Sequence, residues 1–150
     1  MPIVNRPERT LAWLLRAIGV LDLAALVAVF MPASWHDHFH AGAGLGALPH
    51  LPVVLYLARS ASALYAVFGA LLLFLSFDVV RYLPVIRFLV RIALIHAAVL
   101  VGIDINAGLP AWWAAAEGAG YAGWAIAAGV LAGRIKPEVE GLNLKRQLKG

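Results

Sequence analysis

The chain has 150 residues, of which 63% are hydrophobic and only 13% charged, with a net charge of +4. A water-soluble domain carries about 25% charged residues, so this composition leaves too little polar surface for a soluble globule and places one compact domain in a bilayer. The absence of cysteine excludes disulfides, thiolate catalysis, iron–sulfur clusters and cysteine-based zinc sites.

The first apolar run covers residues 10–31, after Arg6 and Arg9. It exceeds the about 7–15 residues of a signal-peptide core and contains Arg16 and Asp22, so it reads as a retained span. After Pro32, the segment Trp35-His36-Asp37-His38-Phe39-His40 predicts a short amphipathic helix outside the membrane near 33–41, with Trp35 and Phe39 dipping into lipid. His36 and His40, at i and i+4, would share a face, a spacing that metal ligands use. Asp37 or His50 are the candidates for a further ligand. No HExxH is present, so a zincin-type hydrolase has no support. Gly42-x-Gly44-x-Gly46 lacks a preceding strand and a following basic residue, and reads as a turn.

The second run, 51–77, carries Arg59, with Ser62, Tyr65 and Gly69 on a neighbouring sector of the same helix. Asp78 and Arg81 in the connection 78–85 pair or cap. The third run, 86–107, holds His96. A haem held by two histidines needs a second histidine at matching depth on another helix, and none exists, which argues against haem. His96 is expected to hydrogen-bond a neighbouring helix or line a proton path. Asp104 lies near the end of this run. In the fourth run, 110–133, Trp113, Glu117, Tyr121 and Trp124 are spaced four, four and three, which is one helical face. Ala98-x-x-x-Gly102 and Gly129-x-x-x-Gly133, with Ala125, predict close helix contacts within the bundle or between copies.

Each run is near the ~20 residues a helix needs to cross a bilayer, and continuous apolarity without alternation selects helices over a barrel. Pro32, Pro49, Pro52, Pro84 and Pro110 fall at or beside the run ends, where helices start or stop. The expected fold is all-α: a transmembrane four-helix bundle over residues 1–133, then a basic tail over 134–150. Of the 12 Lys and Arg residues, all but Arg16 and Arg59 flank the spans at the termini and the 78–85 connection, and the connections 32–50 and 108–110 contain none. Positive charge stays cytoplasmic, so both termini are expected on the cytoplasmic side of a bacterial inner membrane. The tail has no interleaved aromatics and contains Glu138 and Glu140; it fits attraction to anionic lipid heads and not nucleic acid.

The charges inside the spans carry most of the functional signal, since a charge in hydrocarbon costs at least ~2.5–3.5 kcal/mol. At 1.5 Å per residue, Asp22, Arg59 and Glu117 lie about 13, 12 and 10 Å below the outer edges of their runs, which predicts one polar layer in the outer half of the bilayer. Two readings fit such a layer. One is a ligand pocket of Asp22, Arg59, Ser62, Tyr65 and Glu117, with His40 and Asp104 at its mouth. The other is a structural ion cluster whose disruption costs about 3–5 kcal/mol.

Three stretches, GLGALPHLPVVLYLARSASALYA (44–66), SFDVVRYLP (76–84) and GIDINAGLPAWWAAAEG (102–118), together resemble a group of small, uncharacterised four-helix bacterial membrane proteins, and more distantly DoxX-like proteins. The resemblance covers most of residues 10–133 and implies the four-helix topology. Some DoxX-type proteins are associated with sulfur-compound or quinone redox systems; no catalytic motif of theirs maps onto this chain.

No Walker loop, GxGxxG fingerprint or nucleophile elbow occurs. The expected role is therefore non-enzymatic: a small membrane protein acting as an accessory or structural subunit or a binding module, within the bilayer and either in a larger membrane complex or as a homo-oligomer. The alternative is a membrane subunit of a quinone-linked oxidoreductase, or a small proton-coupled carrier, in which Glu117 or His96 moves protons.

Overall fold

Proline and glycine punctuate the chain into helices. In the computed structural model, which describes residues 5–135, these are α1 (Arg6–Ala24), α2 (Leu26–Phe30), α3 (Ala33–Gly42), α4 (Pro52–Leu75), α5 (Leu83–Asn106) and α6 (Ala111–Gly133). The tail from residue 136 onward, with most of its basic residues, lies outside the described residues. Pro52 and Pro84 sit in the first turns of α4 and α5, where the missing N–H would be unpaired in any case. Pro32 and Pro110 precede α3 and α6 as their N-caps. Gly108, at φ +71°, ends the turn between α5 and α6 in a left-handed conformation that other residues rarely adopt. Asn5 and Glu8 close a capping box at the start of α1, the Glu8 carboxylate accepting from the Asn5 backbone N–H at 3.2 Å.

The first apolar run is broken. Between α1 and α2, Ala25 donates to the carbonyl of Asp22 at 3.1 Å and accepts from Ala28 at 3.0 Å. These i to i+3 bonds interrupt the α-helical ladder three residues after the carboxylate.

Three helical stretches are long and apolar enough to cross a membrane: Arg6–Phe30, Pro52–Leu75 and Leu83–Asn106. α6 is nearly as long at 23 residues, but its Ala, Gly, Trp and Glu117 residues lower its hydropathy, and it is not among them. The bundle is turned inside out relative to a soluble one. Leu21, Phe30, Leu64, Val67, Ile95 and Ile126 all face outward, an apolar girdle far larger than the patches soluble monomers expose.

Packing is uneven around the bundle. α1 lies against α4, α5 against α6, and α1 against α6, while α2 continues along α4. The consecutive helices α4 and α5 barely touch. Where packing is tight, glycine permits it. A Cβ on Gly69 of α4 would meet the Leu23 nitrogen at 2.5 Å and the Gly19 carbonyl oxygen at 2.6 Å. A Cβ on Gly118 of α6 would strike the Val101 side chain of α5. The α6 face that packs is Ala125, Ala128 and Ala132, all fully buried. On α5 it is Ala93 and Ala97, not the expected Ala98–Gly102 pair: both of the latter are exposed, and a side chain on Gly102 would meet open space. Small residues four apart recur on two faces of α5, and the face that packs is turned by one residue from Ala98–Gly102.

Core and caps gather at the end of the bundle that carries the start of α1, the end of α6 and the α4–α5 turn. Leu11, Leu15, Leu72, Leu75, Leu83 and Ile86 are buried there. Arg87 donates to the carbonyls of Ala132 at 2.9 Å and Ile135 at 3.3 Å, closing the C-terminus of α6. Arg16 donates at 3.3 Å to Ser76 Oγ, and that hydroxyl donates to the Leu73 carbonyl at the end of α4. Asp78 and Arg81 do not form an ion pair; Asp78 Oδ1 accepts from the Arg81 backbone N–H at 3.0 Å and caps the turn. Toward the α3 end fewer large side chains are buried, and α2 and α3 bury no residue completely.

Candidate functional site

The unpacked seam between α4 and α5 forms a cleft of about 320 Å³, with α6 as its back wall. α4 contributes Ala61, Leu64, Tyr65 and Phe68; α5 contributes Leu89, Ile92, Ala93 and His96; α6 contributes Tyr121 and Trp124. Each set recurs every three or four residues, so each is one helical face. The aromatic rings interlock across the seam. His96 meets Tyr121 edge-on at 5.0 Å, Tyr65 lies 6.5 Å from Tyr121, and Phe68 lies 6.2 Å from Trp124. The residues with hydrogen-bonding groups thus gather at the Tyr65–His96–Tyr121 end, where Tyr65 and Tyr121 hydrogen-bond each other, and the Phe68–Leu89–Trp124 end is lined by hydrophobic rings and Leu89.

Tyr121 and Trp124 have a second side. They also line a groove of about 300 Å³ between α1 and α6, together with Ile18, Leu21, Asp22, Ala116, Glu117 and Gly120. Two of the sequence-predicted charges meet here, Asp22 from α1 and Glu117 from α6. Glu117 Oε2 accepts from Trp113 Nε1 at 3.1 Å, one helical turn away, which orients the carboxylate along α6. The groove and the cleft are thus separated by the thickness of two aromatic side chains.

Arg59 stands apart from both carboxylates. It lines another groove, between α2 and α4, with Val29, Pro52, Leu55, Tyr56, Ser60 and Ala63. Its Nη2 donates to the Met31 carbonyl at 3.1 Å, while its buried Nε has no partner. Asp22 instead packs level with Gly69, whose Cβ would lie 2.9 Å from the Asp22 Cβ. Ten residues of α4 separate Arg59 from Gly69, about 15 Å along the axis. The three charges therefore do not share the expected single layer, which requires Met31 and Leu51 to be level: Met31 is level with Arg59, well inside α4, and the first span starts its descent lower. Among the described residues the one contact within 4.0 Å between a basic side chain and a carboxylate is His50 Nδ1 to Asp37 Oδ2.

The other predicted residues divide among local roles. Ser62 donates back to the Ala58 carbonyl of its own helix at 2.9 Å, which satisfies it there. Tyr65, six residues from Arg59 and so turned about 120° around α4, reaches the cleft. Asp104 is 4% exposed, and its Oδ2 has no hydrogen-bond partner; it lies within the α5 face that packs on α6, away from the carboxylate groove. His36 Nε2 donates to the Ala28 carbonyl at 3.0 Å and His40 Nδ1 to the Gly46 carbonyl at 2.9 Å. A carbonyl can only accept, so these contacts fix each ring's proton and tie α3 to its flanks. No three His, Asp or Glu side chains among the described residues are placed to share a metal ion. Trp35 and Phe39 of α3 are 57% and 59% exposed, on one face.

No protein-family model, no curated protein and no solved structure matches the chain. What the site can do therefore follows from its geometry: bind an apolar molecule against aromatic walls and offer it hydrogen bonds at one end. The sequence had pointed to Tyr121 and Trp124 through their shared helical face. The cleft itself had no sequence signal, because it depends on two consecutive helices failing to pack.

Proposed function

We propose that this chain is a membrane-embedded binding module rather than an enzyme, and that its ligand site is the α4–α5 cleft. The observation that carries this reading is the cleft's make-up: an aromatic-walled space with Tyr65, His96 and Tyr121 together in its lining, on the side of the bundle where α4 and α5 are not packed against each other. The size falls at the lower end of the about 300–1,000 Å³ usual for small-molecule sites. In this reading α6 is a fourth span, its weaker hydropathy compensated by burial of its alanine face. The bundle sits in a bacterial inner membrane with both termini cytoplasmic, as the placement of Lys and Arg supports. The apolar girdle meets lipid or the neighbouring subunits of a larger assembly. A distant relationship to DoxX-like proteins is part of the same proposal and rests on the three sequence stretches alone.

The test is retention of a molecule through purification. The wild-type chain, extracted with its surrounding lipid and analysed by mass spectrometry, is expected to hold a compound that the cleft-filling variants Ala61→Phe and Ile92→Trp, both at exposed lining positions, release. Identical extracts from wild type and both variants, with helical content unchanged, would sink the proposal. Orientation is separately accessible because the chain has no cysteine. Single cysteines at Ala41 and Arg81 should react with impermeant reagents from opposite sides of the membrane.

A second reading, proton-coupled transport or a quinone-linked redox subunit, is favoured by one feature: the groove of Asp22 and Glu117 shares Tyr121 and Trp124 with the cleft. Glu117→Gln should then abolish flux in proteoliposomes, or turnover, while leaving expression intact. Failure of the variant to accumulate would instead mark Glu117 as structural.

A further inference from the structure

The cleft's depth and lack of charge narrow what it can hold. Tyr65 and His96 each lie thirteen residues into α4 and α5, about 20 Å from one helix end and 15 Å from the other, and Tyr121 is about 15 Å into α6. The hydrogen-bonding end of the cleft is therefore near the middle of the bundle, and its apolar end runs from there toward the packed end. No Asp, Glu, Lys or Arg lines it. A phospholipid keeps its charged head at the membrane surface and cannot bring it to this depth at an acceptable cost. A helix about 10 Å across is too bulky for a space of about 320 Å³. Tyr65 and Tyr121 hydrogen-bond each other. Against a bare acyl chain this still leaves one of their two O–H groups and the His96 ring unpartnered, and such a chain would make no use of the flat walls that Phe68, Tyr121 and Trp124 provide.

We propose that the cleft takes an uncharged, ring-bearing, lipid-soluble carbonyl or hydroxyl compound, admitted sideways from the bilayer between α4 and α5. This rests on reading the cleft as a ligand site and adds its chemical class and route. The ring system stacks on Trp124 and Phe68. Its oxygen meets Tyr65, His96 and Tyr121, and any tail extends through the open seam into lipid. Neutral lining matches neutral ligand, which is the electrostatic complement of the site.

The experiment uses the whole chain in phosphatidylcholine vesicles and three fluorescent probes. Prodan is a neutral naphthalene ketone, anilinonaphthalene sulfonate is a naphthalene-based anion, and diphenylhexatriene is a ring hydrocarbon without oxygen. Energy transfer from tryptophan to prodan is expected to saturate, with prodan emission shifted to that of a hydrogen-bonded ketone. Ala61→Phe, at the exposed lip, should remove the saturable component. Tyr65→Phe and Tyr121→Phe should each weaken it roughly tenfold, about the worth of one hydrogen bond, and shift the emission back. Equal saturation by diphenylhexatriene, or indifference to both tyrosine substitutions, overturns the requirement for an oxygen. Displacement of prodan by the sulfonate overturns the requirement for neutrality. In both cases the cleft remains a ligand site. If no probe saturates but a compound is retained through purification and released by Ala61→Phe, the chemical class is wrong and the binding function stands. If neither is seen, both fail together.

Discussion

Gly19 and Gly69 meet backbone to backbone where α1 crosses α4: a Cβ on Gly69 would lie 2.6 Å from the Gly19 carbonyl oxygen, and one on Gly19 would lie 2.9 Å from that of Gly69. The two helices touch without side chains between them, and this crossing holds Asp22 against α4 at its lower level. Backbone cannot yield as a flexible side chain can. Gly69→Ala should therefore cost about 1–3 kcal/mol, the usual penalty of overpacking, read as a lowered midpoint of thermal unfolding in detergent. Gly102→Ala, which adds a methyl in open space, serves as the control and should change stability by no more than about 0.5 kcal/mol.

Arg59 holds the end of α2 through the Met31 carbonyl. Arg59→Met keeps the apolar stem and removes the donor, so amide exchange over 26–31 should accelerate. Retention of a ligand in the α4–α5 cleft should not change, because Arg59 lines a different groove. Loss of the ligand with α2 still protected would return Arg59 to the binding site.

Arg87 closes α6 by two hydrogen bonds to carbonyls in its last turn and beyond. A cation at this position also complements the helix dipole. Arg87→Ala is expected to cost about 1.5–3 kcal/mol, the range for hydrogen bonds to a charged group. Faster exchange confined to residues 130–135 would mark the effect as local fraying; unchanged exchange there would contradict the capping role.

Asp104 is the reverse case, a buried carboxylate with an unpartnered oxygen. Asp104→Leu replaces it with an apolar group of similar shape and should stabilise the isolated protein by about 1–3 kcal/mol, the cost of leaving such a group unsatisfied. A fall in the unfolding midpoint would show that Asp104 has a partner within the bilayer-assembled protein.

Helix positions were legible because their cause is local. Prolines in first turns, apolar runs of spanning length and the glycine after α5 act within a few residues of one another. The same holds for the short helix carrying Trp35 and Phe39. Depth arithmetic supplied one coordinate for each charge, relative to its own helix end. It could not show that the end of α2 is level with Arg59, because that offset is set by how α1 docks on Gly69. Rotation about each helix axis was equally hidden. It turns Tyr65 into the cleft and Arg59 away from it, and faces Ala93 and Ala97 inward where Ala98 and Gly102 had the same spacing. The break at Ala25 carries no glycine or proline and left no mark in the sequence.

The leucine core and the arginine and serine caps at one end of the bundle give its helices unequal local stability along their length. Amides around Leu72, Leu83 and Ile86 are buried deeply enough to open only with the fold as a whole, whereas α2 and α3 bury no residue completely and open at far lower cost. The chain is thus a graded structure, with its most persistent hydrogen bonds at one pole and its most readily exchanged ones at the other.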